Sequence, residues 1–249
     1  MPNRLIILIY LLLTYSGGLW APLGSLIIIL IARLSWREQW IDRLGLRVSQ
    51  TGIWLSLLAL ILAAGIAWIM IPAACLVQGI EITPIWERDA RVELALHTLG
   101  QTFNEEIVLG WMLLASLRRR LPRLSLPSLS IAVALIFAGL HFTFYAVRPQ
   151  ESFNNGILST AALLSVFAVG VLRNNFILGL GNIVLAWGVH LGWNLIFIDS
   201  AYQWAETGER LTEPEIFNAV FGYTPIVSLL VTLMGLSLLI YFLPSTKLP

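Results

Sequence analysis

Charge is scarce in this chain, and so is cysteine. Asp, Glu, Lys and Arg together make up 12% of its 249 residues, against roughly 25% in soluble domains. That is too little to clothe a water-facing surface. The one cysteine, Cys75, excludes an intrachain disulfide and a cysteine-based metal cluster, and it is expected to pack as a small apolar residue. The formal net charge is +1. Because the arginines gather at the ends of apolar runs and form no basic face, nucleic acid is not an expected partner. Familiar hydrolytic signatures are missing as well: there is no HExxH zinc helix, no GxSxG serine elbow and no aspartate pair within an apolar run.

What is abundant is apolar side chain, 58% of the total, with a mean hydropathy of +0.83. This composition predicts an all-α, polytopic transmembrane bundle forming one integral membrane domain over residues 1–249. A helix needs about 20 residues to cross the roughly 30 Å hydrocarbon core, and the charges divide the sequence into seven spans on that scale. They run Leu5–Ile31, Ser49–Val77, Leu94–Leu117, Leu126–Val147, Ile157–Leu172, Phe176–Ile198 and Phe217–Phe242. Arg4 and Leu5–Leu13 have the look of a signal peptide, but the uncharged run continues to Ile31 and is read as a retained span. Ser16-Gly17-Gly18 and Pro22 predict that this first run is kinked or forms a re-entrant pair, which would make eight elements. Arg33–Arg47, with Trp36 and Trp40 among its charges, reads as an amphipathic helix on the membrane surface. An acidic loop with Glu206, Glu209, Glu213 and Glu215 separates the last two spans. If Arg33–Arg47 and Arg118–Arg123 face the cytoplasm, Arg173 and Lys247 join them, so ten of the fifteen basic residues lie inside. The positive-inside rule then favours an N-out, C-in chain, with Arg4 dissenting.

The costliest residues are Glu105 and Glu106, adjacent carboxylates in the middle of the third span. An acidic side chain at a helix centre costs roughly 2.5–3.5 kcal/mol on a translocon-type scale, so an intramembrane glutamate is a functional candidate whose partner must be sought. His141, His190 and Asn194, each inside another apolar run, are the candidate partners. His97, Gln101 and Glu105 recur at i, i+4 and i+8 as one polar stripe, whereas Glu106 shares its side with Thr102, Phe103, Gly110 and Leu113. Successive helical side chains diverge by about 100°, so Glu105 is assigned to a water-lined cavity and Glu106 to its support by hydrogen bonding. His141 follows Phe137 by one turn, an arrangement that, taken alone, marks a packed, hydrogen-bonded histidine more often than a catalyst. His190 and Asn194 share a face at i, i+4, where such a pair either joins helices or offers N–H donors. Gly188 and Gly192 place a GxxxG pattern beside them, inviting close approach of a neighbouring backbone.

Three helices contributing convergent polar groups describe a catalytic cavity. An imidazole beside a buried carboxylate lets it exchange a proton with water and act as a base, help typically worth about 10²–10⁴ in rate. His190 and Asn194 are suited to holding an oxyanion, where one lost donor typically costs about 10²–10³. The implied reaction is water attack on an amide or ester carbonyl. An alternative use of His141, His190 and Glu105 is a His₂Glu zinc set, although neither their spacing nor an outer carboxylate argues for it.

Glu105-Glu106, the FxxxH of Phe137–His141 and the HxxxN of His190–Asn194 resemble, in their order and in the spans that carry them, the motifs of the CPBP family, the CAAX prenyl protease and bacteriocin-processing enzymes. The similarity covers roughly Arg43 to Asn194, counting Leu44-Gly45-Leu46. It implies a glutamate-type intramembrane endopeptidase with a catalytic core at about 94–198, in a family formerly described as metalloproteases. Glu105 and His141 would activate water and His190 and Asn194 would stabilise the oxyanion, with no metal or other cofactor required; Glu106 stands beside them as a second catalytic group or a buttress. The implied partners are the lipid bilayer and a membrane-anchored or translocated peptide, and the implied location is a plasma membrane such as the bacterial inner membrane. Gly110 stands where the family's EExxxR places an arginine, so no role for that arginine carries over. His141 and His190 both lie toward the outer ends of their spans, so the site is expected to open extracytoplasmically. Intramembrane Glu and His also build proton relays, so a proton-coupled transporter is the competing expectation, and an inactive peptide-binding scaffold is a third.

Overall fold

The computed structural model describes residues 2–13, 19–84, 89–147, 158–181, 183–197, 202–205 and 213–242. Ser16-Gly17-Gly18, Arg148, Asn182, Ile198, Glu206, Glu209 and Lys247 lie outside them. The described chain is helical apart from one two-stranded ribbon.

The first apolar run is two helices packed side by side, α1 (Pro2–Leu13) and α2 (Trp20–Trp36). With 12 residues, α1 rises only about 18 Å and cannot cross a bilayer alone. α2 continues through Arg33 and stops at Arg37, whose φ of 48° turns the chain away. A 3₁₀ turn (Arg37–Gln39) and a four-residue α3 (Trp40–Arg43) follow, so the surface helix expected over Arg33–Arg47 is broken. The cause is an anchor into the bundle. Leu44 is fully buried, Trp111 Nε1 donates to the Arg43 carbonyl at 3.1 Å, and Gly45, at φ 69°, lies so close to the Trp111 ring that a Cβ would collide with it. Only glycine takes that backbone conformation and that contact together.

α4 (Gln50–Val77) is capped by Ser49, whose Oγ accepts from the Gly52 N–H at 3.1 Å. Its Ile61, Ile69 and Leu76 are 65%, 69% and 73% exposed, a surface that lipid can cover and water cannot. With the other apolar helices, this makes the chain an integral membrane protein. α4 leads into β1 (Ile82–Pro84), which pairs antiparallel with β2 (Tyr202–Trp204), Ile82 opposite Trp204. Between the strands come α5 (Asp89–Glu105), a π-helical stretch (Glu106–Met112), α6 (Leu113–Arg120), α7 (Leu126–Val147), α8 (Thr160–Leu180) and α9 (Val184–Phe197). α10 (Glu213–Phe221) and α11 (Thr224–Ser237) follow β2 and meet at 70° before a final 3₁₀ turn, Leu238–Phe242.

Among the described residues, four segments have the length and apolarity of a membrane span: Trp20–Arg43, Gln50–Val77, Leu126–Thr143 and Thr160–Gly179; the bent α10–α11 pair makes a fifth if counted as one broken span. The seven expected spans exceed this number. One reason is a misplaced boundary. Arg173 was expected to mark a loop between spans Ile157–Leu172 and Phe176–Ile198, but α8 runs straight through Arg173, Asn174 and Asn175, all three buried. The helix ends instead at Gly181, at φ 70°, whose N–H bonds the Ile177 carbonyl. α9 is left with only 14 residues, and Arg173 leaves the tally of basic residues in cytoplasmic loops.

α9 is held against α4 through the small residues that the sequence placed there. Ser56 Oγ donates to the Val184 carbonyl at 2.6 Å, Gly188 lies on the Ser56 backbone and Gly192 on that of Leu60. This is close backbone packing through small residues, as expected inside a bilayer. Gly192→Ala is expected to lower the melting temperature of the detergent-purified protein by the equivalent of about 1–3 kcal/mol, the usual cost of overpacking. Gly65→Ala, where an added Cβ meets nothing within 4 Å, should leave it unchanged or slightly higher; equal melting temperatures for the two variants would contradict the packing described.

Candidate active site

Glu105 is the last residue of α5 and Glu106 the first of the π-helical stretch. A widened π turn recurs at functional sites, and here it begins at the second carboxylate. Their helix is fixed from behind by α2. Asn104 Nδ2 donates to the Ala21 carbonyl at 3.1 Å, Ser25 Oγ donates to Asn104 Oδ1 at 2.9 Å, and Gly100 lets the Pro22 backbone lie directly against it. With that face occupied, both glutamates project into the bundle, 2% and 0% exposed. Gln101 Nε2 donates to Glu105 Oε1 at 3.1 Å, which realises the i, i+4 stripe.

His190, on α9, lies between the two carboxylates. Its Nδ1 is 3.0 Å from Glu106 Oε1 and its Nε2 is 3.9 Å from Glu105 Oε2. The first distance is a hydrogen bond and the second is too long for one. An ionised carboxylate only accepts, so Nδ1 carries the proton. Adjacent helical residues diverge by about 100°, yet both glutamates approach this one ring, because the imidazole presents its nitrogens on different edges. α9 is registered for this by Trp187, one turn earlier, whose Nε1 donates to the buried Thr102 Oγ1 at 3.1 Å and whose ring meets Phe103 edge-on at 5.4 Å.

Behind Glu106 stands Arg173, 6% exposed, with Nε 3.8 Å from Glu106 Oε2. Its guanidinium carbon lies 4.2 Å over the centre of the Phe137 ring, a cation–π contact. Read locally, this arginine is a loop charge. The signal that would have found it is length: Thr160–Leu180, counted through the three polar residues, has the 21 residues of a single span.

His141 stands on α7. Its Nδ1 donates to the Phe137 carbonyl at 2.9 Å, and its ring centre is 4.3 Å from that of Phe137 and 6.5 Å from that of Phe217. A carbonyl only accepts, so in the neutral ring Nε2 keeps its lone pair. His141 interacts electrostatically with Glu105, His190 and Arg173, which puts it in the same polar neighbourhood. Asn194, one turn beyond His190 on α9, is half-buried. The structure therefore brings Glu105, Glu106 and His190 into one cluster, sets His141 within electrostatic range of it, and adds Arg173 from a helix that sequence reasoning did not credit. Among the described residues, no group of three or more His, Cys, Asp or Glu side chains is disposed to hold a metal ion.

Residues 88–196, a little under half of the chain, match the family model described as type II CAAX prenyl endopeptidase, Rce1-like. The matched stretch runs from the start of α5 into α9, and it contains every residue of the cluster. No curated protein and no solved structure matches the chain.

His190→Leu removes the donor to a fully enclosed carboxylate. It is expected to destabilise the protein by about 1.5–3 kcal/mol, the worth of a hydrogen bond to a charged group, read as a fall in melting temperature in detergent; an unchanged melting temperature would show that Glu106 does not depend on that bond.

Proposed function

We propose that the chain is an intramembrane endopeptidase of the CPBP type, hydrolysing a peptide bond in a membrane-anchored or translocated substrate. The observation that carries this reading is His190 lodged between two buried carboxylates, inside the stretch that matches a prenyl endopeptidase family.

Water is the nucleophile. Glu105, oriented by Gln101, and the free Nε2 of His141 take its proton as its oxygen adds to the substrate carbonyl. The carbonyl π electrons move to oxygen. The resulting oxyanion accepts from the side-chain N–H of Asn194 and, when both ring nitrogens of His190 are protonated, from His190 Nε2–H. Glu106 accepts from Nδ1–H and so fixes the direction in which Nε2 points. When the tetrahedral intermediate collapses, the C–N bond breaks and the proton taken from water passes to the departing amine. The proposed reaction draws on no cofactor. Arg33–Arg47 and Arg118–Arg123 carry most of the basic side chains, which supports placing those loops and the C-terminus in the cytoplasm. We further infer a site opening extracytoplasmically and residence in a plasma membrane such as the bacterial inner membrane; the packing of α1 back along α2 supports setting Arg4 with the other arginines rather than outside, against the N-out expectation.

A proton relay is the second reading, favoured by the shared ring between two carboxylates. In proteoliposomes, Glu105→Ala and His141→Ala are each expected to reduce cleavage of a membrane-anchored peptide by about 10²–10⁴ with expression and melting temperature intact, and chelators are expected to have no effect. Proton flux or uptake without cleavage would favour the transporter, and peptide binding with neither would favour a scaffold.

A further inference from the structure

Glu106 is enclosed on every side, and His190 satisfies only one of its oxygens. Among the described residues, the other, Oε2, has no hydrogen-bond partner, and the nearby cation is Arg173 at 3.8 Å. Arg173 is itself clamped. Its Nη2 and Nε donate to Asn174 Oδ1 at 3.1 and 3.4 Å, and Asn174 Nδ2 donates in turn to the Ser130 carbonyl of α7 at 2.9 Å. The next residue, Asn175, donates to Ser237 Oγ and accepts from the Tyr241 hydroxyl, both at 2.6 Å. The two asparagines already tie α8 to α7 and to the C-terminal helical segment. Arg173 adds what they lack, a positive charge beside Glu106.

Gly110 explains how that charge gets there. It lies one turn beyond Glu106, and the carboxylate folds back over it: a Cβ at 110 would stand 3.0 Å from Glu106 Oε2 and 2.9 Å from Ile177 Cδ1. Ile177 is one turn after Arg173 on α8, so the missing side chain makes room for the carboxylate and for the helix that carries the guanidinium. A side chain at 110 would have to displace one or the other.

We propose that Arg173 and Gly110 together form a positioning device: the guanidinium, admitted by the bare backbone at 110, holds the Glu106 carboxylate in the orientation that engages His190 Nδ1 and so aims His190 Nε2. Arg173 is a positioning residue, since it acts on the ring through Glu106. Its catalytic consequence rests on the hydrolase reading above; the orientation itself does not, and is measured without any substrate.

The chain contains three histidines, His97, His141 and His190, so ¹⁵N-histidine labelling of the full-length protein in nanodiscs gives a spectrum assignable with one His→Gln variant at a time. Arg173→Gln is expected to shift the His190 Nδ1 resonance, leaving His97 in place as the fold reference. Arg173→Lys should recover part of the wild-type signal, because it restores the charge without the planar fork. Gly110→Ala, which keeps every charge, should move the same His190 resonance. An unchanged His190 signal in folded Arg173→Gln or Gly110→Ala protein would overturn the proposal, as would a Lys variant no closer to wild type than the Gln variant. Failure of the protein to cleave peptides would bear on the hydrolase reading alone.

Discussion

Two neighbouring carboxylates inside an apolar bundle set the terms for the rest of this structure. Each loses its hydration on burial, and the loss is tolerable only where donors and opposite charge replace the water. Here the replacements come from four separate places in the sequence: Gln101 on the same helix, His190 from α9, Arg173 from α8, and the electrostatic influence of His141 from α7. Every helix of the bundle's centre is thereby committed to one point. The apolar contacts around them, Ile107, Leu129, Val133, Phe137 and Ile177 among them, fill the space between these commitments.

The same economy governs how the polar groups are aimed. The ring nitrogens of the two histidines are not equivalent: His141 Nδ1 is spent on its own helix and His190 Nδ1 on Glu106, so the remaining Nε2 atoms are the ones left for chemistry. A backbone carbonyl in one case and a carboxylate in the other make this choice. Helix geometry supplies the first automatically, through the i−4 carbonyl, whereas the second exists only because α9 is registered against α5 by Trp187 and Thr102.

Much of this was legible in the residues themselves. The stripe His97, Gln101, Glu105 reads as a face, and its lower pair is a hydrogen bond; Gly188 and Gly192 read as a close approach, and α4 lies against both. Arg173 was not legible in the same way, because its justification lies outside its neighbourhood. In a chain with so few charges each one is taken as punctuation, and a charge neutralised by a partner from a distant helix looks, locally, like any other boundary. The same habit stretched α9 and turned α8 into a fragment. The break at Arg37 was hidden for a related reason: what bends the chain there is the anchoring of Leu44 and Gly45 against Trp111, a contact between segments far apart in sequence.

The helices that brace the cluster from outside, α2 against Gly100 and Asn104, and α4 against Gly188 and Gly192, fall before residue 88, beyond the stretch that matches the family. The matched unit is therefore not a free-standing module. Cut from its N-terminal helices it would present bare glycine seams and unmet amide groups to the lipid. Any chimera that grafts this centre onto another scaffold must bring those two helices along, or rebuild the flat, small-residue contacts they provide.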